Sequence, residues 1–159
     1  MQPERGAGGA PEQGGRVVVG VDDSPGSDRA LRWAVAEAAA HGREVHAVLA
    51  WELPTIGAFG IDPQPVDFDA LAEGAAQVLA RVLARVEDEA REQGVTVTGE
   101  VVHGHPRHVL LECAGDADLL VVGSRGMGGV KGLLLGSVSS YCATHAPVPV
   151  AVVPAPVEP

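Results

Sequence analysis

Two patterns of apolar positions alternate along the chain. Short apolar or alternating runs predict β-strands, and longer stretches with an apolar residue every three or four positions predict helices. The predicted strands cover residues 16–21, 44–51, 95–102, 118–123 and 148–153. Because a helical stretch separates each strand from the next, the order is β-α-β-α-β-α-β-α-β. This order indicates an α/β fold, a doubly wound five-stranded parallel sheet with helices on both faces.

The first helical stretch has clear boundaries. Ser24 before Pro25 is typical of a helix start, and Gly42 is typical of a helix end. Apolar residues from Leu31 to Ala38 recur with helical spacing. We therefore expect one face of this helix to be buried.

The second helical stretch is the longest. Its spacing predicts one continuous helix over residues 68–93, closed by Gly94. The side chains expected to face inward are Leu71, Ala75, Val78, Leu79, Val82 and Val86. A short helix is expected after Pro106, and Ser137 is placed to cap a last helix that runs to about His145.

The apolar content of each strand predicts its place in the sheet. The runs 16–21 and 118–123 are the most apolar, which favours a central pair buried on both faces. Residues 95–102 alternate in polarity, which favours a position nearer an edge. Prolines flank and interrupt the run 148–153, and proline cannot donate to a sheet ladder. We therefore expect this last run to form an edge strand.

Size and composition predict a single domain. The chain has 159 residues, of which 46% are hydrophobic and only 3% aromatic, so its core must consist of Val, Leu and Ala. We expect the domain to cover residues 16–154, between disordered ends formed by residues 1–15 and 155–159. Cys113 and Cys142 lie in apolar helical patterns and are expected to be buried and reduced.

Charge and hydropathy argue against several classes of partner. Nucleic acids and anionic membrane surfaces attract basic patches, and the net charge of this chain is −10. No apolar run approaches the roughly 20 residues that span a bilayer. The first fifteen residues lack the pattern of a signal peptide. We expect a cytoplasmic protein that binds neither nucleic acid nor membrane.

The last part of the chain departs from this acidity. No Asp or Glu occurs between Asp118 and Glu158, and the only lysine, Lys131, lies in that interval together with Arg125. Both basic residues belong to the segment "SRGMGGVKGLLLGS", which follows the fourth predicted strand. One explanation is that strands and loops carry few charges of either sign. The two cations favour the other explanation, that acidic residues are absent because they would repel a bound anion.

Glycines and hydroxyls in the same segment suit phosphate. Glycines allow backbone N–H groups to approach an anion closely. Gly136 and Ser137 begin the last predicted helix, whose free N–H groups and dipole favour negative charge. The hydroxyls of Ser137 and Ser139 are further donors. A plain glycine-rich turn is the alternative, but a turn does not need so long a segment with two cations.

The spacing of the glycines separates this segment from the common nucleotide motifs. Neither GxxxxGK[ST] nor a GxGxxG after the first strand occurs. Gly123, two residues, Gly126, nine residues and Gly136-Ser137 match G-x2-G-x9-G-[S/T]. This motif resembles that of the universal stress protein family, in the branch that binds ATP. "VGVDDS" at the first strand, "GHP" at 104–106 and "APVPVAVV" at the last strand agree, so the resemblance covers residues 16–154.

The resemblance implies a Rossmann-like sheet with strand order 3-2-1-4-5 and a nucleotide site at its carboxyl edge. Adenosine would meet the end of the first strand and the end of the second. The ribose and phosphates would follow the fourth strand and the start of the last helix. The site residues implied are Gly20, Val21, Asp22, Ala50, Val122, Gly123, Arg125, Gly126, Gly136, Ser137, Val138 and Ser139. Among them Arg125 occupies a position that the motif leaves variable.

Asp22 has two possible roles. Its carboxylate can accept hydrogen bonds from ribose hydroxyls, as the resemblance implies. The alternative is that it caps the first helix. Asp23 is the better candidate for a cap or a solvent-facing residue.

The resemblance also implies a function. It indicates an ATP-binding regulator of the stress response that binds ATP with Mg²⁺ and forms a homodimer through the strand at 148–153. An edge strand with apolar residues favours such self-pairing. The alternatives are a slow ATPase or nucleotide-transfer enzyme of the same fold, and an interaction scaffold that binds no nucleotide. AMP or a cyclic nucleotide could also replace ATP.

Catalysis and metal binding have weaker support. No nucleophile–base pair stands out in the sequence, so we expect at most slow ATP hydrolysis and no catalytic residue. His103, His105 and His108 crowd the stretch "HGHPRH", but no acidic ligand lies between them. We expect no metal site there.

Overall fold

The computed structural model describes residues 14–53, 65–127 and 134–156. In chain order its elements are β1 (Arg16–Gly20), α1 (Pro25–His41), β2 (Glu44–Trp51), α2 (Phe68–Ala84), α3 (Glu87–Glu92), β3 (Val97–His103), α4 (Pro106–Cys113), β4 (Leu119–Gly123), α5 (Ser137–His145) and β5 (Val150–Val153). The strands form one parallel sheet in the order β3-β2-β1-β4-β5. The predicted fold class and strand order are confirmed.

The central strand is apolar because both of its faces are covered. β1 pairs with β2 and β4, and Val18 lies opposite His46 on one side and Leu120 on the other. Val17, Val18 and Val19 have no exposed surface. A strand with a helical layer on each face cannot carry a polar side chain without burying it, which explains the continuous valine run.

The sheet separates two cores of unequal size. The larger contains β1 residues Val17 and Val19 with the apolar face of α1 and buried residues of α2 and α3. The smaller contains Val18 and Leu120 with Leu110 of α4 and Cys142 of α5. Consecutive residues of β1 therefore belong to different cores, as the twofold alternation of a strand requires.

The predicted single helix over 68–93 is wrong. α2 ends at Ala84 and α3 begins at Glu87, and the two are joined by a tighter turn in which the N–H groups of Arg85 and Val86 bond three residues back. Val86 is only 2% exposed, so burial of this side chain accompanies the break. The helical apolar spacing continues across the turn, which is why the sequence pattern did not detect it.

The inward face of α2 is also shorter than predicted. Leu79, Val82 and Val86 are buried, and Ala75 and Val78 pack partly against the core. Leu71 is 43% exposed and does not face inward, which corrects that expectation.

The edge strands lie where the sequence predicted them. Among the described strands, β5 pairs with β4 alone and β3 pairs with β2 alone. β5 begins at Val150 instead of residue 148. Pro147 and Pro149 precede it, and proline has no N–H to donate to the ladder. β3 begins at Val97, two residues later than expected.

The cysteines are free thiols in a mainly apolar setting. Cys142 is buried and Cys113 is half-buried. Burial raises the pKa of both thiols above the usual value, and for Cys113 the charge of Glu100 raises the pKa further. The expectation of buried, reduced cysteines holds fully for Cys142 and in part for Cys113.

Several predictions fall on residues outside the described ranges. These residues are 1–13, 54–64, 128–133 and 157–159, and they include most of the two ends predicted to be disordered and Lys131. Within the described ranges, no helix combines the length and the apolar character that crossing a membrane requires.

Candidate functional site

A cavity of about 410 Å³ lies at the carboxyl edge of the central strands. The chain leaves β1 and β4 in opposite directions at this edge, and such a reversal opens a crevice in doubly wound sheets. All twelve residues that the sequence singled out line the cavity. The lining residues are Gly20, Val21, Asp22, Ser27, Val48, Ala50, Pro106, Leu110, Val122, Gly123, Arg125, Gly126, Met127, Gly136, Ser137, Val138 and Ser139.

One end of the cavity is apolar. Val48 and Ala50 come from β2, and Pro106 and Leu110 come from the first turns of α4. Sequence reasoning missed three of these, Val48, Pro106 and Leu110. The "GHP" stretch pointed to the start of α4, but only the packing of α4 beside β2 shows that its side chains reach the cavity.

Gly123 and Gly126 lie where the chain closely approaches the backbone of Gly26 and the side chain of Asp22, respectively. A Cβ on Gly123 would lie 3.0 Å from the carbonyl carbon and oxygen of Gly26, in the first turn of α1. A Cβ on Gly126 would lie 2.5 Å from Oδ2 of Asp22. The segment after β4 therefore lies directly against the turn after β1 and the start of α1.

Asp22 connects the two sides of the cavity. Its Oδ1 accepts hydrogen bonds from the N–H and the hydroxyl of Ser24. Its Oδ2 accepts from the N–H of Met127, at 2.9 Å. A carboxylate offers about four acceptor positions. Asp22 therefore acts in the local turn and retains about one position for a ligand.

The first helix is capped by Ser24, as predicted. Its hydroxyl accepts from the N–H of Ser27 at 3.1 Å, and Pro25 occupies the first helical position. The Ser27 hydroxyl in turn accepts from the N–H of Asp22 and donates to the carbonyl of Ser24. Ser27 lines the cavity and is another residue that the sequence analysis missed.

Asp23 does not cap the helix, and its carboxylate forms ion pairs with Arg81 of α2 and with Arg85 in the turn that follows α2. Its backbone has φ 66°, the left-handed conformation that a residue with a Cβ rarely adopts. Among the described residues it is the one non-glycine with positive φ.

The start of α5 differs from the predicted cap. Gly136 is the capping residue with no side-chain cap, and Ser137 is the first residue of the helix. The Ser139 hydroxyl donates to the carbonyl of Ser124 at 2.8 Å and is also within hydrogen-bond distance of the carbonyl of Gly136. This hydroxyl is thus engaged in the fold, and Ser139 is 2% exposed. The N–H groups of the first helical turn remain as donors at the cavity.

The charge of the described lining is balanced. Asp22 and Arg125 are its two charged side chains, one on each side of the cavity. Arg125 is half-buried and forms no ion pair with any residue of the described ranges. Its guanidinium is part of the cavity lining.

The three histidines of "HGHPRH" have separate packing roles. His103 packs on the ring of Trp51, with ring centroids 4.6 Å apart. His105 caps α4 by accepting from the N–H of Arg107, and His108 lies edge-on to Tyr141. No group of three potential metal ligands occurs in the parts of the chain that the structure describes.

The sequence also matches a model of a known family over residues 15–154, and that model describes the universal stress protein family. The match covers the sheet, all five helices and the whole described lining of the cavity. The chain belongs to the universal stress protein family.

Individual relatives agree with this assignment. A universal stress protein of Mycobacterium tuberculosis is 39% identical over 136 residues, which cover 86% of this chain and 44% of the relative. Another, from Mycolicibacterium smegmatis, is 39% identical over 137 residues, which cover 86% of this chain and 45% of that protein. The chain thus spans less than half the length of these two relatives.

A solved structure shows the same fold with a ligand. A universal stress protein in complex with cAMP aligns with a TM-score of 0.66 and 29% identity, covering 89% of this chain and 98% of the other.

Proposed function

We propose that this universal stress protein binds an adenine nucleotide, ATP with Mg²⁺, in the cavity between β1 and β4. The observation that carries the proposal is the convergence of the glycine-rich segment, the open end of α5 and an apolar pocket on one cavity. We further propose that nucleotide occupancy makes the protein a regulator in the stress response.

The apolar end of the cavity suits the base. Val48 and Ala50 of β2 and Leu110 of α4 provide an apolar surface on the cavity. Transfer of an adenine ring from water to such a surface lowers the free energy. The polar edge of the ring can form hydrogen bonds with backbone groups at the strand end. The cAMP complex of the structural neighbour supports a nucleotide with this base.

The opposite end suits phosphate. The N–H groups at the start of α5 and the positive end of its dipole favour an anion. Arg125 adds a full positive charge on the same side. These groups favour a chain of phosphates over a single one, and this is the reason to propose ATP ahead of AMP or a cyclic nucleotide.

Mg²⁺ fits this site only together with the nucleotide. Magnesium prefers oxygen ligands and keeps several waters, usually with one or two carboxylates and substrate phosphates. Asp22 is the one carboxylate in the described lining, and three of its acceptor positions are occupied. Phosphate oxygens and water would therefore supply most of the ligands of a bound Mg²⁺, with at most one position left for Asp22.

The hydrogen bonds that hold the Asp22 carboxylate favour a binding protein over a fast enzyme. Phosphoryl transfer needs a group that positions or activates the nucleophile near the terminal phosphate. Asp22 is held by Ser24 and Met127, away from that role. We propose that any ATP hydrolysis is slow.

Calorimetry on dialysed protein tests the proposal. Titration with Mg-ATP, AMP, cAMP and Mg-GTP should give the tightest binding for Mg-ATP, because it alone combines adenine with three phosphates. Denatured, freshly purified protein should release an adenine nucleotide that chromatography identifies. Absence of binding by all adenine nucleotides at millimolar concentration would contradict the proposal and favour the scaffold alternative.

A homodimer through the last strand remains part of the proposal. β5 is an edge strand with half-buried apolar residues Val150, Ala151 and Val152. Pairing of two such edges about a twofold axis would cover them. Sedimentation velocity at micromolar concentration should show a dimer, and a monomer would contradict this part.

A further inference from the structure

We propose that Arg85, at the end of α2 and outside the cavity, is a positioning residue for the nucleotide site. The inference rests on the proposed function, because its consequence is measured as nucleotide affinity. Arg85 would act by holding the turn after β1 in the conformation that directs Asp22 toward the glycine-rich segment.

Arg85 joins two acidic residues of the turn after β1 and the start of α1. Its Nη1 donates to both carboxylate oxygens of Asp28, each at 2.9 Å. Its Nη2 donates to Oδ1 of Asp23 at 2.6 Å. One planar guanidinium therefore fixes two carboxylates five residues apart, a geometry that a lysine cannot reproduce.

The held residue, Asp23, has an unfavourable backbone. At φ 66° its Cβ is crowded, a conformation tolerated mainly by glycine and, less well, by Asn and Asp. A hydrogen bond from Arg85 to the carboxylate of Asp23 offsets this cost in the folded protein. Without it, the turn gains freedom to leave the left-handed conformation.

The position of Asp23 governs its neighbours directly. Asp22 precedes it and accepts from the N–H of Met127, and Ser24 follows it and caps α1. Gly126 approaches Asp22 so closely that even a methyl group would not fit between them. Small rotations at Asp23 would therefore disturb the link between the two sides of the cavity.

The break between α2 and α3 explains how Arg85 reaches this turn. Arg85 lies in the tight turn that interrupts the expected helix, and its carbonyl accepts from Nη2 of Arg32 at 3.1 Å. The same Arg32 pairs with Glu89 of α3 at 2.7 Å. Arg32 therefore anchors the Arg85 backbone to α1, and the guanidinium of Arg85 extends back to the start of that helix.

The ion pairs of Arg85 with Asp23 and Asp28 orient the turn after β1 more than they add to the free energy of unfolding. The side chain of Arg85 is 38% exposed and those of Asp23 and Asp28 are 28% and 30% exposed. Ion pairs at such exposure usually add little to the free energy of unfolding. A substitution at Arg85 should therefore change the site more than the stability of the fold, and this separates a positioning role from a structural one.

Four variants test the inference. We expect Arg85→Gln to bind Mg-ATP about three- to ten-fold more weakly in calorimetry, with little change in Tm. Arg85→Lys should show an intermediate loss and serves as the milder variant if Arg85→Gln does not fold. Arg91→Gln removes an ion pair to Asp88 within α3 and should leave the affinity unchanged.

The fourth variant tests the route through the backbone. Asp23→Gly in the Arg85→Gln background should restore much of the affinity, because glycine adopts the left-handed conformation without support. Amide hydrogen exchange of ligand-free Arg85→Gln should show faster exchange at the amides of Ser24, Ser27 and Met127 than in the parent protein.

Each result has a distinct meaning. If the parent protein binds Mg-ATP and both Arg85 variants bind it equally well, the inference is overturned and the proposed function stands. If Asp23→Gly restores nothing and exchange is unchanged, the route through Asp23 is wrong. If the parent protein binds no nucleotide, the proposed function fails, and the positioning of a nucleotide site by Arg85 fails with it.

Discussion

The two sides of the cavity are built in opposite ways. The turn after β1 is held by side chains: Asp22, Ser24 and Ser27 bond to one another and to backbone groups within a few residues. The described part of the segment between β4 and α5 depends on glycines and backbone groups, and its helix start has no side-chain cap. The first side uses its polar groups on itself, whereas the second leaves donors for a ligand. This difference predicts which substitutions change folding and which change binding.

Gly123 offers the largest effect, on the free energy of unfolding. In Gly123→Val the new side chain would meet the backbone of Gly26, which cannot move without shifting α1 from β4. We expect a loss of about 3 kcal/mol, near the upper range for overpacking. Denaturant unfolding measures it. Gly74→Val is the matched control, since a Cβ there meets nothing within 4 Å, and an equal loss in that variant would show that contact with Gly26 is not the cause.

Gly136 should separate binding from folding. Its backbone is extended, with φ −75° and ψ 173°, and an added Cβ has only ordinary contacts, the nearest at 3.5 Å. Gly136→Val should therefore fold with only a small loss of Tm, since valine caps a helix less well than glycine. The larger side chain would keep phosphates from the start of α5, and we expect Mg-ATP affinity to fall about 10- to 100-fold, since each charge-assisted hydrogen bond contributes about 1.5–3 kcal/mol.

Titration calorimetry measures the Mg-ATP affinity of Gly136→Val and of the parent protein, and thermal unfolding measures their Tm. A variant with normal Tm and normal Mg-ATP affinity would show that the glycine side of the cavity does not hold phosphate. The comparison of the two sides would then apply to folding alone.

Asp22 belongs to both sides and should show both effects. Asp22→Asn keeps the shape, but the amide nitrogen cannot accept from the N–H of Met127 if it replaces Oδ2. We expect a loss of about 1–2 kcal/mol in the free energy of unfolding and a parallel loss of nucleotide affinity. Chemical denaturation and calorimetry on the same sample measure the two. A loss of affinity without any loss of stability would mean that Asp22 contacts only the ligand.

Ser24 should give the smallest effect, confined to folding. Ser24→Ala removes the cap of α1 and one donor to Asp22. We expect a loss of about 1 kcal/mol, as for other helix caps, and a change in Mg-ATP affinity of less than about three-fold. Thermal unfolding with and without Mg-ATP measures both quantities. A larger loss of affinity than in Asp22→Asn would place the hydroxyl in the binding site itself.

The sequence was most informative where a pattern is local or where a strand is buried on both faces. The valine run of β1 and the "DLLVVG" run of β4 identified the central strands, and the prolines around β5 identified an edge. The helix boundary at Gly42 and the cap at Ser24 followed from single residues whose backbone preferences are strong. Patterns of this kind need no knowledge of distant contacts.

Two of the errors have a common origin. Apolar spacing continues past Arg85 to Val86, so the local pattern does not mark the end of α2, where the side chain of Arg85 contacts Asp23, far away in the chain. Ser137 has the chemistry of a cap, but Gly136, whose N–H bonds to the carbonyl of Ser124, occupies that position. The spacing of Leu71 predicted burial, and its side chain is 43% exposed.

By itself the sequence determined the class of fold and the central and edge strands, because strand burial is read one segment at a time. Its resemblance to a known family, carried by the glycine spacing, implied twelve of the residues that line the cavity. Only the tertiary structure decided that Leu110 and Pro106 close the apolar end, that Asp22 is bonded to Met127, and that Arg85 reaches the turn after β1. The physical reason is that a side chain's partners are chosen by the packing of whole elements, and no local pattern encodes where a distant helix will place its end.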